Sequence, residues 1–162
     1  MVDVDITILL AELAGRAGVD NARGGAPLDA MELITTTDSG WPHVAWLSGG
    51  EVLALEPDVL ALCLWRGSTT TANLRERKRA LLQVVVDGTV HKLQLATRRV
   101  ADIDTGHATL TAFLARCEGA KVDAVNYAEV LSGPRYRLHD PDSVVARWHD
   151  QLDALEAALA DA

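Results

Sequence analysis

The spacing of apolar residues changes character several times along this chain, and each change marks an element. After Asp5, the residues Ile6, Leu9, Leu10, Leu13 and Ala17 fall on one stripe at helical spacing, which predicts an N-terminal helix over residues 5–17. Asn21 to Pro27 is glycine-rich and polar and reads as a loop. From Met31 to Thr37 the pattern becomes β-branched and apolar. Asp38-Ser39-Gly40 then supplies turn chemistry before Trp41-Pro42 and the alternating run His43 to Ser48, which predicts a hairpin. Gly49-Gly50 predicts a further turn into a strand over Val52 to Leu55. Leu60 to Trp65 is almost continuously apolar and of strand length, as a strand buried on both faces would be. A short helix is expected over Thr69 to Lys78. Two strands, Ala80 to Asp87 and Val90 to Ala101, follow around the hairpin dipeptide Asp87-Gly88.

The C-terminal part reads as more helical. Asp104 or Thr105 is placed to cap a helix running to about Cys117, and a second helix is expected over Lys121 to Leu131. Tyr136 to Leu138 suggests a closing strand. Asp140-Pro141 combines an acidic cap with proline at the first helical position, and Val144, Val145, Trp148, Leu152, Leu155 and Leu159 form the apolar side of a last helix. In this reading the Trp148 stripe is structural and does not touch a ligand. The whole is one domain over residues 1–162, of class α+β: an antiparallel split β-barrel over about residues 31–101, with helices before it and over about 104–160. Regular β-α alternation, Gly-x-Gly-x-x-Gly and Walker-type sequences are all missing, which argues against a parallel nucleotide-binding sheet.

Composition narrows the partners. With 162 residues, 49% apolar and 23% charged, the chain fits one globular domain, and a net charge of −8 disfavours nucleic acid and anionic lipid at long range. Neither a membrane span nor a secretory leader is legible, so a cytoplasmic protein acting on small molecules is expected. Cys63 and Cys117 stand apart from any metal-binding or redox spacing and read as buried thiols. The five histidines show no ligand spacing, and no metal site is expected. Four cations crowd into Arg75, Arg77, Lys78 and Arg79. They form either an anion site or the solvated end of a helix, where cations complement the dipole.

The segment with most chemistry is Trp65-Arg66-Gly67-Ser68-Thr69-Thr70-Thr71-Ala72-Asn73, where a buried strand turns into a helix. Free backbone N–H groups, hydroxyls and one guanidinium can converge there on a phosphate, and glycine permits close approach. An ordinary hydroxyl-rich helix cap has the same appearance.

From about Leu33 to Ala101 the order of motifs resembles the flavin-binding split-barrel superfamily of pyridoxamine 5′-phosphate oxidase. Asp38-Ser39-Gly40-Trp41-Pro42 is similar to its Asp-x-Gly-x-Pro hairpin, and Arg66-Gly67-Ser68 followed by Asn73-Leu74 to its cofactor-phosphate turn and helix. Arg79 to Leu82 before Val84 to Gly88 is similar to its next strand pair. The resemblance implies an FMN-dependent oxidoreductase built as a homodimer, with deazaflavin or haem as the cofactor in some branches. A flavin- or ligand-binding dimer without turnover is the alternative. It implies that Arg66, Ser68, Thr70 and Thr71 contact the phosphate, that Asn73 supports the turn, and that the backbone of Val44, Ala45 and Trp46 faces the ring; it implies no particular catalytic residue. The sequence departs from the pattern in three places. The turn has no Lys or Arg between Ser68 and Asn73, Arg77-Lys78-Arg79 replaces Asn-Pro-Arg, and Arg137-Leu138-His139 runs straight into a helix instead of a substrate site.

Overall fold

A computed structural model of the protein describes residues 3–162. Its centre is a seven-stranded sheet in the order β3-β2-β6-β7-β8-β5-β4, every neighbouring pair antiparallel. The strands are β2 (Met31–Thr36), β3 (Pro42–Leu47), β4 (Val52–Glu56), β5 (Val59–Trp65), β6 (Arg79–Val86), β7 (Thr89–Asp104) and β8 (Thr109–Asp123). Met31, Leu33, Leu62, Leu82, Leu93 and Phe113, from five of these strands, are fully buried in one interior cluster, so the sheet curls around a common core. The outermost strands β3 and β4 are not hydrogen-bonded to each other. The 3₁₀ turn Gly49–Glu51 joins them across the open seam. This is the antiparallel split barrel with peripheral helices, of class α+β, that the superfamily resemblance implies.

β5 bears out its continuous apolar reading. Leu60, Leu62 and Leu64 point into the barrel, while Ala61 and Cys63 point outward beneath helix α4 (Pro141–Ala160), near Leu155. β8 has the same character, and here the sequence expectation is corrected: residues 104–117 form no helix but the end of β7 and most of β8. Phe113, Ala115 and Cys117 face the barrel interior, and Leu110 and Ala112 face α4. Burial on both faces erased the alternation that identifies a strand. The helix expected over 121–131 is likewise absent, because residues 121–123 close β8 against Val90 to Lys92 and residues 124–134 have no regular structure. The barrel strands therefore reach residue 123, beyond the expected limit near 101.

The N-terminal helix is broken into α1 (Ile6–Leu9) and α2 (Gly15–Asp20). Gly15 has φ +65°, a left-handed conformation that interrupts a regular helix. A Cβ on Gly49 would lie 2.8 Å from the backbone of Gly18, so α2 packs backbone to backbone against the seam turn. α4 is anchored by Val145, Trp148 and Leu152 against Val19 and Ala22 of the α2 region and against Leu28. Leu28 belongs to β1 (Leu28–Asp29), which pairs with β9 (Arg135–Tyr136), so the expected closing strand forms a separate two-stranded ribbon. Among the described residues no helix is long and apolar enough to cross a membrane.

Candidate functional site

The strand-to-helix turn is tied down at each step. Arg66 N–H donates to Thr109 O (3.1 Å), Ser68 N–H donates to Trp65 O (3.1 Å), and helix α3 (Thr69–Arg77) begins after Ser68. Ser68 is the N-cap, its Oγ accepting from Thr71 N–H at 3.1 Å. Thr71 is fully buried and its hydroxyl donates to Trp65 O at 2.6 Å, while Asn73 donates through Nδ2 to Thr35 Oγ1 at 2.9 Å and locks α3 onto β2. These two side chains hold the turn from behind.

In front of it lies a cavity of about 560 Å³, within the range of small-molecule sites. Of the residues selected from the sequence, Ala45, Trp46, Ser68 and Thr70 line it. Thr71 and Asn73 lie behind the lining, and Val44 projects from the exposed face of β3. Arg66 stands outside the lining, exposed, with Nε 3.4 Å from Asp102 Oδ2.

Asp102 organises the charge beside the turn. Arg66, Arg75 (3.3 Å) and Arg99 (3.1 Å) all pair with it, and Thr111 donates to it at 2.8 Å. The Thr111 hydrogen bond, joined by Arg99 and Arg66, lowers its carboxyl below the usual range. Three guanidiniums around one carboxylate leave a local positive surplus on a chain of net charge −8. The basic run at the end of α3 does not converge. Arg75 turns to Asp102, Arg77 pairs with Asp38 (3.3 Å), and Lys78 is the left-handed C-cap at φ +57°.

The rest of the cavity is built from residues the sequence reading did not select: Glu51, Cys63, Trp65, Tyr136, Arg147 and Gln151. Ser48 and Glu51 form a reciprocal capping box, with Ser48 N–H (3.1 Å) and Oγ (2.9 Å) both donating to Glu51 Oε1. Burial pushes the Glu51 carboxyl up, against the Ser48 bonds and Arg147, which favour its charged form. Burial also pushes the Cys63 thiol and the Tyr136 hydroxyl to about 12, with Glu51 adding to both shifts. The Ser-x-x-Glu spacing at Ser48 and Glu51 was the legible signal for this cluster. Trp148 packs with Val19, Leu28 and Leu152, as its structural reading expects, and also borders the cavity. A Cβ on Gly50 would sit 2.4 Å from its Cγ, so this glycine is set by packing. Among the described residues no cluster of His, Cys, Asp or Glu is arranged to hold a metal ion.

No family model matches the chain. Among solved structures it is similar to a HupZ variant from Group A Streptococcus (7% identity, covering 64% of this chain and 94% of that one, TM-score 0.49). It is also similar to a Clostridium acetobutylicum protein of the pyridoxinephosphate oxidase family related to general stress protein 26 (10% identity, 70% and 88% covered, TM-score 0.47). With the Bacillus subtilis protein YclD, described as uncharacterized, it shares 30% identity over 128 residues, spanning 79% of this chain and 83% of YclD, and the chain belongs to the same family as YclD.

Proposed function

We propose that this protein is a flavin-binding oxidoreductase of the pyridoxamine 5′-phosphate oxidase-like type, with FMN as its cofactor. The observation that carries this reading is the capped turn at Ser68, which opens into a cavity bordered by the indoles of Trp46 and Trp65. The donor set fits a phosphate. Ser68 and Thr70 line the cavity; Ser68 Oγ donates to Thr71 Oγ1 at 3.0 Å, but among the described residues no hydrogen bond engages the Thr70 hydroxyl or the N–H groups of Thr69 and Thr70, and the Asp102 cluster adds positive surplus nearby. Gly67 supports the same fit, since a Cβ there would meet nothing within 4 Å and its φ lies outside the left-handed region. Its missing side chain is therefore not demanded by the chain's own packing and suits close approach by a ligand.

In this reading Arg66, Ser68 and Thr70 take the phosphate, Thr71 and Asn73 fix the turn behind it, and Val44 to Trp46 face the ring. FMN would supply hydride or electron transfer. The protein's part is to bind, orient and exclude water, which agrees with the lack of an evident acid–base pair beside the turn. Haem has less support than FMN or a deazaflavin: no histidine lines the cavity, and the Cys63 thiol is held protonated. Val44 on β3 and the exposed indoles of Trp46 and Trp65 (69%) at the cavity offer apolar surface, which supports a homodimer whose second copy covers it. The free thiols of Cys63 and Cys117 suit the cytoplasm. One observation weighs against a strong phosphate contact, namely that Arg66 is already shared with Asp102.

Titration with FMN and with riboflavin tests the reading. Arg66→Ala is expected to weaken FMN by roughly 1.5–3 kcal/mol, about ten- to a hundred-fold, and to leave riboflavin nearly unchanged. Equal losses for both ligands, or none for either, would remove the phosphate role. Oxidation of NADH or NADPH by the FMN-loaded protein separates an enzyme from a binder.

A further inference from the structure

The cavity has a second polar end, which the cofactor reading leaves unused. It follows the outward face of β5 from Trp65, beside the Ser68 turn, back to Cys63, whose thiol lies 3.5 Å from Gly50 O. There it meets Glu51, Tyr136 and Arg147. We propose that this end is the substrate subsite and takes a small organic acid with a hydroxyl or amine next to its carboxylate, Arg147 receiving the carboxylate and Glu51 the neighbouring donor. The assignment rests on the reading that the turn end holds the cofactor.

The chemistry follows from which atoms are already committed. Both Ser48 bonds to Glu51 fall on Oε1, and among the described residues no hydrogen bond reaches Oε2, so the side chain is fixed through one oxygen and presents the other. Arg147 is close enough to Glu51 to favour its charged form, yet the two are not within the 4.0 Å of an ion pair. Nor does Arg147 pair with another carboxylate among the described residues. A fixed acceptor and an uncommitted guanidinium facing one space match a ligand that carries an anion and a donor side by side, and guanidinium geometry suits a carboxylate. Tyr136, with its hydroxyl pushed to about 12, remains a neutral donor beside them. Gln151 is pinned by donation from Nε2 to Gly50 O at 3.1 Å. Trp148, packed against Gly50 beside Cys63, gives this end an apolar wall, so the body of the ligand is apolar.

Mandelate, which joins a carboxylate and a hydroxyl on one carbon beside a phenyl ring, is the probe. Phenylacetate lacks the hydroxyl and 1-phenylethane-1,2-diol lacks the carboxylate. Binding is followed by tryptophan fluorescence, since Trp46, Trp65 and Trp148 line the cavity, with FMN titrated separately into each sample. Arg147→Gln is expected to weaken mandelate at least about tenfold and to leave the diol unchanged. Glu51→Gln should weaken mandelate while sparing phenylacetate. Thermal melts establish that each variant is folded, and exposed Arg147 carries the test should Glu51→Gln unfold. Equal mandelate binding by wild type and Arg147→Gln, or no saturation of the wild type in the millimolar range, overturns the subsite. Failure of FMN to bind the wild type overturns the cofactor reading instead, and does so whichever way mandelate behaves.

Discussion

The two ends of the cavity are made in opposite ways. At the turn, the donors come from a few consecutive residues, Arg66 to Thr71, held by short-range bonds such as Thr71 Oγ1 to Trp65 O. At the other end, Glu51, Tyr136, Arg147 and Trp148 come from three separate segments, gathered in part by backbone contact of Gly18 with Gly49 and by packing of the Trp148 side chain on Gly50. A local device can lose a side chain and keep its backbone. An assembled one depends on packing, so loss of a buried packing residue such as Trp148 should appear as lost stability before lost affinity.

The largest effect is therefore expected at Trp148, which is 7% exposed and packs with Val19, Val145 and Leu152. Trp148→Ala should cost roughly 3–5 kcal/mol, as truncation of a large core aromatic does. Gly50→Ala should be severe as well, because the added methyl would overlap the indole. Urea unfolding measures both, and a loss of less than about 1 kcal/mol for Trp148→Ala would break the contrast between the ends.

Glu51 sharpens the contrast through pH. Its folded-state affinity for a proton is raised, with burial as the first cause. Its stabilising contribution is therefore complete below the ordinary carboxylate range and is lost as pH rises through the raised value. Glu51→Gln cannot titrate, so the wild type should lose stability relative to this variant as pH rises upward from the ordinary carboxylate range. Paired thermal melts across that rise read the difference, and parallel curves would mean that the carboxylate is not desolvated.

At the turn the stability effects should be smaller. Ser68→Ala removes the cap that accepts from Thr71 N–H and is expected to cost about 1 kcal/mol. FMN affinity should fall further than riboflavin affinity in the same variant. Equal affinities would leave Ser68 as a helix cap only.

Legibility divided along the same line. β2, β3, β5, β6 and α3 were readable because each carries its own signal: alternation, a short continuous apolar run, a hydroxyl cap, or a turn such as Asp87-Gly88. β8 was misread because Leu110 and Ala112 are covered by α4 while Phe113, Ala115 and Cys117 fill the barrel, which removes the period, and because Thr109, Thr111 and Arg116 break the continuous apolar run that made β5 readable. The break between α1 and α2 was hidden inside a good helical stripe, with Gly15 as its signal. The turn end of the cavity was legible as a motif. Arg147 and Tyr136 were not, since nothing local announces a residue whose role is set by a partner about a hundred positions away.

The smallest stability effect, and the cleanest separation of fold from function, is expected at Gly67. Glycine at a turn is ordinarily explained by a positive φ or by a crowded Cβ position, and neither holds here. A methyl group at Gly67 would project into open space beside Ser68, so Gly67→Ala should leave the unfolding free energy within about 0.5 kcal/mol of wild type, or raise it slightly by restricting the unfolded chain. If the turn cradles a phosphate, the same methyl stands where the ligand approaches. FMN affinity should then fall, while riboflavin, which reaches the cavity without a phosphate, should be largely spared. Urea unfolding and the two titrations give three numbers for one substitution. Unchanged stability with weakened FMN places the constraint on Gly67 in the ligand. Lost stability would place it in the fold, and unchanged values in all three would mean that the turn makes no close approach to a phosphate at this residue.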